Sequence, residues 1–253
     1  MKIRLDKALV ERGLVPSRER AQALILAGRV LVAEQRVEKP GTTVDETAPL
    51  RLIGEDLKYV SRGGLKLERA LEHWAISLEG RACLDVGAST GGFTDCMLQN
   101  GAAAVLAVDT GYGQIAHKLR VDPRVKLMER CNARLLQPGE LASAMPQPIS
   151  FFAMDVSFIS ATLVLPPVIP ALANLGQSWN GEAVVLIKPQ FEAGREHVGK
   201  GGIVRDEGAR ELAISRVRDC VATLGGAEIE VIDSPITGAE GNHEYLLHAF
   251  FKP

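Results

Sequence analysis

Apolar and polar positions near the amino terminus predict a small module of two helices followed by a sheet. Leu5 and Leu9 recur with helical spacing, and their helix ends near Gly13. Ser17 is a candidate N-cap for a second helix, which Gly28 would terminate. The apolar face of that second helix carries Ala21, Leu24 and Ile25. Four short strands are expected next, at Val30–Val32, Arg36–Val37, Thr42–Val44 and Leu50–Ile53.

Longer apolar runs predict a second, larger domain. A charged connector at Gly54–Val60 leads to a helix from Lys66 to Trp74. Segments of strand length then alternate with helix-length intervals, which is typical of an α/β fold with a doubly wound, mostly parallel sheet. The strands are expected at Arg81–Val86, Ala104–Val108, Val125–Met128, Ile149–Met154, Ala183–Ile187, Glu228–Ile232 and Glu244–Phe250. We therefore expect a small α+β domain over residues 1–60 and the α/β domain over residues 61–253.

Composition is that of a folded protein in a reducing compartment. Apolar residues make up 46% of the chain and charged residues 24%, which is unlike a disordered sequence. The amino terminus lacks an apolar signal-peptide stretch, and prolines interrupt the longest apolar segment, Leu163–Ala173. We expect a cytoplasmic protein that is neither secreted nor embedded in a membrane. No metal site is expected, because four scattered cysteines lack zinc-site spacing: Cys83, Cys96, Cys131 and Cys220.

Charge is distributed unevenly along a chain whose formal net charge is −2. Residues 1–36 contain eight Lys or Arg and four Asp or Glu, so that segment is +4 and the remainder is −6. A basic end on an acidic body is typical of a polyanion-binding module, although a solvated helix surface would show similar charges. The candidate contacts to a polyanion are Arg4, Arg18, Arg20 and Arg29.

A glycine-rich loop follows the first strand of the larger domain. The sequence LDVGASTGGFT at residues 84–94 opens a helix, and glycines there let the backbone turn sharply and approach a ligand. Asp109 ends the next strand, 22 residues after Gly87, at about the spacing where an acid accepts hydrogen bonds from the two hydroxyls of a ribose. The pattern indicates a cofactor that contains adenosine, with a purely structural turn as the alternative.

Two features of this loop favour S-adenosylmethionine over a dinucleotide. A dinucleotide sets its pyrophosphate on the helix N-terminus through Gly-x-Gly-x-x-Gly, but Ser89 stands at the second glycine position here. Asp85 precedes the loop and should lie close to the ligand. A carboxylate there would repel a pyrophosphate, whereas it suits the amino group and sulfonium of S-adenosylmethionine.

Four charged residues lie where a parallel sheet would gather them. Lys66 belongs to the helix before the first strand, and Asp155 follows the fourth strand. Lys188 ends the fifth strand, and Glu244 starts the last. Ligands of open parallel sheets bind beyond the carboxyl ends of the strands, so the four side chains would meet there. Each residue alone is a weak signal, since a lysine at a strand end is more often a solvated flank.

The first domain resembles the S4 RNA-binding domain over LDKALVERGLVPSRERAQALILAGRVLV, continuing to about Ile53. The order of helix, basic helix and Gly-Arg-Val-x-Val agrees with that domain, and a generic small α+β module is the alternative. The resemblance implies that RNA is recognised by its shape and phosphates, through arginines on one helix face.

The larger domain resembles the ribose methyltransferases of the FtsJ group. Their loop usually reads Asp-x-Gly-x-x-Pro-Gly-Gly-Phe, and Thr90 at the proline position is similar to the TlyA (hemolysin A) branch. The order of Lys66, Asp155, Lys188 and Glu244 resembles the catalytic tetrad of that group. The resemblance implies a Rossmann-like class I methyltransferase behind an S4-like domain. It also implies that the cofactor contacts Asp85, Gly87, Ser89, Gly91, Phe93, Thr94, Asp109 and, on weaker grounds, Asn132.

The residue types of the tetrad suit methyl transfer to a ribose 2′-hydroxyl. That hydroxyl is a very weak acid and must lose its proton as it attacks the sulfonium methyl. We expect Lys188 to accept the proton, because burial and the ammonium of Lys66 favour a neutral amine. Asp155 would orient Lys188, while Lys66 and Glu244 would hold the ribose and phosphate. The segment Gly199–Arg205 is expected either to close over RNA as a mobile loop or to be a plain solvent loop.

Other chemistries and other functions are less well supported. Asp155 is followed by Val-Ser-Phe and not by the Pro-Pro-Tyr or Pro-Pro-Phe of exocyclic amine methylation. No cysteine nucleophile for carbon methylation stands beside the fourth or fifth strand. The resemblance implies ribosomal RNA or ribosomal subunits as partner, cytidine as target, and nothing suggests more than a monomer. A non-catalytic RNA-binding or ribosome assembly factor stays open as a rival, as does a membrane-acting hemolysin.

Overall fold

The computed structural model describes residues 2–15, 17–53, 58–238 and 240–252. The chain divides into two compact units, Met1–Asp56 and Leu57–Pro253. Of the connector expected at Gly54–Val60, residues 54–57 lie outside the described part of the chain. Within the described ranges, no helix combines the length and the apolar character needed to cross a membrane.

The amino-terminal unit contains two helices and two small sheets. Its elements are β1 (Lys2–Arg4), α1 (Leu5–Glu11), α2 (Arg18–Leu26), β2 (Val30–Val32), β3 (Gln35–Arg36), β4 (Thr43–Asp45) and β5 (Leu50–Leu52). Strand β1 pairs antiparallel with β4, and the other sheet has the antiparallel order β3-β2-β5. Leu9 and Ile25 are buried in the core shared by both helices. Ser17 caps α2 as expected, with its Oγ accepting a hydrogen bond from the N–H of Arg20 at 3.2 Å.

The larger unit alternates strands and helices. Its first half contains α3 (Gly63–His73), β6 (Ala82–Val86), α4 (Gly92–Gln99), β7 (Ala104–Val108), α5 (His117–Arg120), β8 (Val125–Met128), α6 (Glu140–Ala144) and β9 (Ile149–Met154). Its second half contains α7 (Ala161–Leu172), β10 (Gly181–Ile187), α8 (Pro189–Glu192), α9 (Glu207–Thr223), β11 (Gly226–Asp233) and β12 (Tyr245–Phe251).

Seven strands of this unit form one sheet in the order β11-β12-β10-β9-β6-β7-β8. The five strands from β10 to β8 in that order run parallel, and β12 is antiparallel to both of its neighbours. The chain winds outwards in opposite directions from β6 and from β9, which lie side by side. This reversal leaves a crevice at the carboxyl ends of the two strands, where open α/β sheets bind their ligands.

Helices cover both faces of the sheet, so the buried strands have apolar residues on both sides. On one face α3 and α4 contribute Leu67 and Met97 to the core. On the other face α7 and α9 contribute Leu165 and Val217. The expected doubly wound, mostly parallel α/β sheet is therefore confirmed.

The strand predictions for the larger unit are confirmed to within two residues at each end. Three of the strands have the predicted bounds at both ends: Ala104–Val108, Val125–Met128 and Ile149–Met154. The small unit differs more. Strand β1 was not predicted, and β3 is Gln35–Arg36 where Arg36–Val37 was expected. Pairing with distant segments sets these short strands, so local periodicity carries little information about them.

Candidate functional site

The loop between β6 and α4 depends on glycine at two positions. Gly87 has φ of +86°, and a Cβ atom there would lie 2.4 Å from the carbonyl oxygen of Asp155. Gly91 has φ of +94°, and its Cβ atom would lie 2.3 Å from a methyl carbon of Leu119. A side chain at Gly87 would clash with backbone, one at Gly91 would displace the Leu119 side chain, and the positive φ disfavours any other residue at both positions. The loop consequently packs directly against the segment that follows β9.

Asp85 lies behind the loop and is fully buried. Its Oδ2 accepts hydrogen bonds from the backbone N–H of Thr94 at 2.9 Å and from the Thr94 hydroxyl at 2.6 Å. Its Oδ1 is buried without a hydrogen-bond partner among the described residues. Burial raises the pKa of Asp85 to about 7, with a further upward contribution from Asp155, while the hydrogen bonds from Thr94 oppose the rise. The carboxylate expected at the ligand surface is thus held one layer deeper.

A cavity of about 560 Å³ opens on the β7 side of the loop. Asp109 lies in its wall, and its two oxygens accept hydrogen bonds from the N–H groups of Ser89 at 2.8 Å and Gly111 at 2.6 Å. Asn132 also lines the cavity, although its side-chain oxygen caps the next turn by accepting from the N–H of Arg134 at 3.1 Å. A carboxylate fixed by backbone amides can accept further bonds from hydroxyl groups. This wall therefore suits a ribose.

A second cavity, of about 360 Å³, lies on the β10 side of the loop. Phe93 and all four charged residues predicted from the sequence line it. The residues that line both cavities are Gly87, Ser89, Asp155, Ser157 and Phe158. Ligands in the two cavities would consequently meet at these five residues.

The four charged residues form a row of alternating charges. Lys66 Nζ lies 2.6 Å from Glu244 Oε2 and 3.8 Å from Asp155 Oδ2. Lys188 Nζ contacts the other oxygen of Asp155. Exposure is only 8% for Lys66, 7% for Lys188 and 3% for Glu244. Burial of charges is costly unless each has an opposite partner, and the alternating arrangement provides one for each.

A buried asparagine that sequence reasoning missed lies two residues before Glu244. Asn242 is fully buried, and its Oδ1 accepts from the N–H of Val204 at 2.9 Å while its Nδ2 donates to the carbonyl of Gly202 at 2.8 Å. A Cβ atom at Gly238 would lie 2.6 Å from Glu244 Oε1, so any larger residue there would displace the Glu244 carboxylate. The segment Gly199–Arg205 is thereby attached to the chain that leads into β12. No local sequence signal distinguishes this asparagine from a loop residue.

Sequence reasoning also missed the contribution of the turn after β9. Ser157 Oγ accepts a hydrogen bond from Lys188 Nζ at 2.8 Å. Phe158 has φ of +65° and is 91% exposed, and its ring centroid lies 5.7 Å from that of Phe191. Such an exposed aromatic ring in a left-handed backbone conformation is unusual. In the sequence, Val-Ser-Phe at residues 156–158 argues only against amine methylation and does not indicate this turn.

The small unit brings two of its candidate arginines together. Arg4 donates to both oxygens of Asp6, at 3.0 and 2.9 Å, and Arg18 donates to Asp6 Oδ2 at 3.0 Å. Asp6 is fully buried, and the hydrogen bonds from Arg4 above all hold the pKa of its carboxyl well below the ordinary value. About half of each guanidinium side chain stays exposed, 49% for Arg4 and 52% for Arg18. The remaining two candidates, Arg20 and Arg29, lie within α2 and just beyond it.

Comparison with protein families matches both units. Residues 59–251 match the FtsJ-like methyltransferase family, and residues 3–48 match the S4 domain. The first match covers most of the chain, including the glycine-rich loop and the four predicted charged residues of the 360 Å³ cavity, Lys66, Asp155, Lys188 and Glu244.

Individual proteins are similar along almost the whole chain. YqxC of Bacillus subtilis, to which rRNA methyltransferase activity is provisionally ascribed, is 49% identical over 98% of this chain and 85% of its own length. The 16S/23S rRNA (cytidine-2′-O)-methyltransferase TlyA of Mycobacterium tuberculosis is 43% identical over 96% of this chain and 88% of its own length. A solved structure of a provisionally assigned hemolysin from Streptococcus thermophilus is 43% identical, with a TM-score of 0.74 over 99% of this chain and 89% of that one.

Proposed function

The chain belongs to the FtsJ-like methyltransferase family and carries an S4 domain ahead of the methyltransferase domain, and we propose that it methylates a ribose 2′-hydroxyl of ribosomal RNA. The relative from Mycobacterium tuberculosis is named for cytidine, and we propose cytidine as the target here. The observation that carries the proposal is the row formed by Lys66, Asp155, Lys188 and Glu244 beside the glycine-rich loop.

S-adenosylmethionine is the methyl donor, and it supplies an electrophilic methyl group on a sulfonium. The donor set of this chain fits it, because Asp109 offers carboxylate oxygens to a ribose and Asp85 Oδ1, which has no hydrogen-bond partner among the described residues, lies behind the loop. Gly87, Ser89, Phe93, Asp109 and Asn132 line the two cavities and would contact the cofactor. Three further predicted residues would shape the site from behind the cavity wall: Asp85, Gly91 and Thr94.

Lys188 is the proposed base. Lys188 lines the 360 Å³ cavity, where a ribose hydroxyl would enter, and its neutral amine would take the 2′-proton as the oxygen attacks. Asp155 contacts Lys188 from the side shared by both cavities, so it would orient the amine and favour positive charge at the transfer point. Lys66, fixed by Glu244, would hold the ribose and its phosphate.

The amino-terminal unit is the proposed RNA anchor. Phosphate contacts position a protein on RNA without reading its sequence, and half-exposed guanidinium groups are suited to making them. Arg4 and Arg18 are held together on Asp6 and still expose about half of their side chains. We therefore propose that these two arginines, together with Arg20 and Arg29, bind ribosomal RNA.

We further propose that the two domains meet at residue 60, with residues 1–60 binding RNA and residues 61–253 performing methyl transfer.

The four cysteines are free thiols, which supports a reducing compartment. We propose that the protein works in the cytoplasm, as a monomer, on ribosomal RNA or ribosomal subunits.

The decisive experiment measures methyl transfer from labelled S-adenosylmethionine to ribosomal subunits from cells that lack this protein, followed by mapping of ribose methylation. We expect label at a discrete 2′-hydroxyl and a loss of at least about a hundredfold in turnover for Lys188→Ala, as for removal of a general base. Lys252→Ala is the matched control, because Lys252 is 61% exposed and pairs with Glu228. Calorimetry should show that both variants bind S-adenosylmethionine like the wild type.

Three outcomes would contradict the proposal in different ways. Normal turnover by Lys188→Ala would remove that lysine as the base. Label on a base rather than a ribose would change the reaction class. Absence of label on every subunit and on free ribosomal RNA, with cofactor binding intact, would favour a non-catalytic RNA-binding or assembly factor.

A further inference from the structure

Ser157 lies where the two cavities meet. It is one of the five residues that line both, and its Oγ lies 2.8 Å from Lys188 Nζ. If the methyl donor occupies the larger cavity and the ribose the smaller, methyl transfer takes place beside this hydroxyl. Ser157 does not belong to the four charged residues assigned above.

Lys188 is paired with Asp155 in the structure, so to act as a base its ammonium must first release a proton to solvent and then present the lone pair of the neutral amine to the substrate. A neutral amine has two N–H bonds and one lone pair, and the side chain rotates freely about its last bond. Ser157 Oγ accepts a hydrogen bond from Lys188, whereas Asp155 Oδ1 contacts the amine without accepting a hydrogen bond from the described residues. The hydrogen bond to Ser157 is therefore the contact that fixes the rotation of the amine, and it leaves the lone pair free to face the substrate.

The backbone around Ser157 holds its hydroxyl in place. The N–H of Asp155 donates to the carbonyl of Val86 at 2.9 Å, so the turn begins at a fixed point beside the glycine-rich loop. Phe158 follows with φ of +65°, a conformation that costs a non-glycine residue free energy. Strained residues cluster where a side chain must be held for function.

We propose that Ser157 is a positioning residue that, together with Asp155, orients the amine of Lys188 for proton transfer. This inference rests on the proposed function, in which Lys188 is the base. In the step itself the 2′-oxygen bonds to the methyl carbon as the carbon–sulfur bond breaks, and the 2′-proton moves to Lys188 Nζ. The ammonium that results keeps its hydrogen bond to Ser157, and its positive charge is balanced by the neighbouring carboxylate of Asp155.

The test compares Ser157→Ala, Ser157→Thr and Lys188→Ala in steady-state methyl transfer to ribosomal subunits. Ser157→Ala should lower kcat about tenfold, the effect of one hydrogen bond, while KM for the subunit and the affinity for S-adenosylmethionine change less than about twofold. Ser157→Thr should restore most of the turnover, because it keeps a hydroxyl on the same carbon. Ser215→Ala is the matched control, since that serine lies on α9 and its Oγ donates to Asp219 at an exposed site.

The outcomes separate this inference from the proposed function. A Ser157→Ala protein with wild-type kcat, beside an inactive Lys188→Ala protein, would overturn the role of Ser157 and leave the base in place. A kcat loss that Ser157→Thr does not restore, or one accompanied by equal losses in KM and cofactor affinity, would also overturn it. Turnover by Lys188→Ala would remove the base and the role of Ser157 together.

Discussion

Asp85→Asn should abolish a pH dependence of stability that the buried carboxylate imposes. In the unfolded chain an aspartate ionises near pH 4, whereas burial raises the pKa of Asp85 in the folded protein to about 7. The folded state therefore binds more protons than the unfolded state between these two values. The contribution of Asp85 to the free energy of unfolding is therefore fully present below about pH 4, and it is lost as pH rises through about 7.

The size of the effect follows from the two pKa values. Raising the pH from about 5 to about 8.5 should cost the wild type roughly 3 kcal/mol through this one group, since each tenfold change in proton binding is worth about 1.4 kcal/mol. An asparagine keeps an oxygen that can accept both hydrogen bonds from Thr94 and never ionises. Its amide nitrogen would stand where Oδ1 has no partner, which adds a cost of about 1–3 kcal/mol that does not vary with pH.

The assay is urea unfolding followed by tryptophan fluorescence at both pH values. The chain has two tryptophans, Trp74 and Trp179, and both lie in the larger unit, so the signal reports on the domain that contains Asp85. Relative to the wild type, Asp85→Asn should be more stable at the higher pH than at the lower pH by roughly 3 kcal/mol of unfolding free energy. Comparison with the wild type cancels the titration of distant groups.

Asp219→Asn is the control, because Asp219 is an exposed aspartate on α9 whose contact with Ser215 is also exposed. Its difference from the wild type should not depend on pH. If Asp85→Asn also differs from the wild type by a constant amount at both pH values, then folding takes up no proton at Asp85. The reasoning from burial and the unpartnered oxygen would be refuted.

Two further variants test the loop attachment and the RNA anchor. Asn242→Ala removes both side-chain hydrogen bonds to the 202–204 turn. We expect it to lower the free energy of unfolding of the larger unit by about 1–3 kcal/mol in the same urea assay. Unchanged stability would show that the turn does not depend on Asn242. Arg18→Ala should weaken binding to ribosomal RNA, and it should reduce the steepness of log affinity against log salt concentration by about 1 in filter-binding measurements. Arg218→Ala, at an exposed position, is the control. An unchanged slope would contradict a phosphate contact by Arg18.

Periodicity predicted the larger domain well, and the reason is physical. Its central strands are covered by helices on both faces, so they contain apolar runs bounded by polar residues, as at Ala183–Ile187 between Glu182 and Lys188. Strand β1 has no such signature, because Lys2 and Arg4 flank a single apolar residue. Its existence depends on pairing with Thr43–Asp45, about forty positions away, which no local pattern reveals.

Helix α7 is a case in which the tertiary structure overrides a strong local signal. Its three prolines, Pro166, Pro167 and Pro170, interrupt an apolar stretch and should disfavour a helix. The structure nevertheless forms one from Ala161 to Leu172, with Leu165 and Val168 fully buried against the sheet. Tertiary burial of the apolar side chains therefore outweighs the lost backbone hydrogen bonds, a balance that propensity alone does not contain.

The candidate site was predictable in its charged residues and not in what surrounds them. Lys66, Asp155, Lys188 and Glu244 stand at strand or helix positions that a parallel sheet gathers by topology, so a correct strand assignment was enough to bring them together. Depth is different: the sequence does not distinguish a carboxylate on the cavity wall from one buried behind it, and Asp85 proved to be the second kind. The turn at Ser157 and Phe158 was also beyond reach, because its left-handed Phe158 contradicts the ordinary preference of that residue. Local sequence rules are expected to fail where function requires backbone strain. The positioning role is therefore proposed for a residue of this turn, Ser157, and not for one of the residues predicted from the sequence.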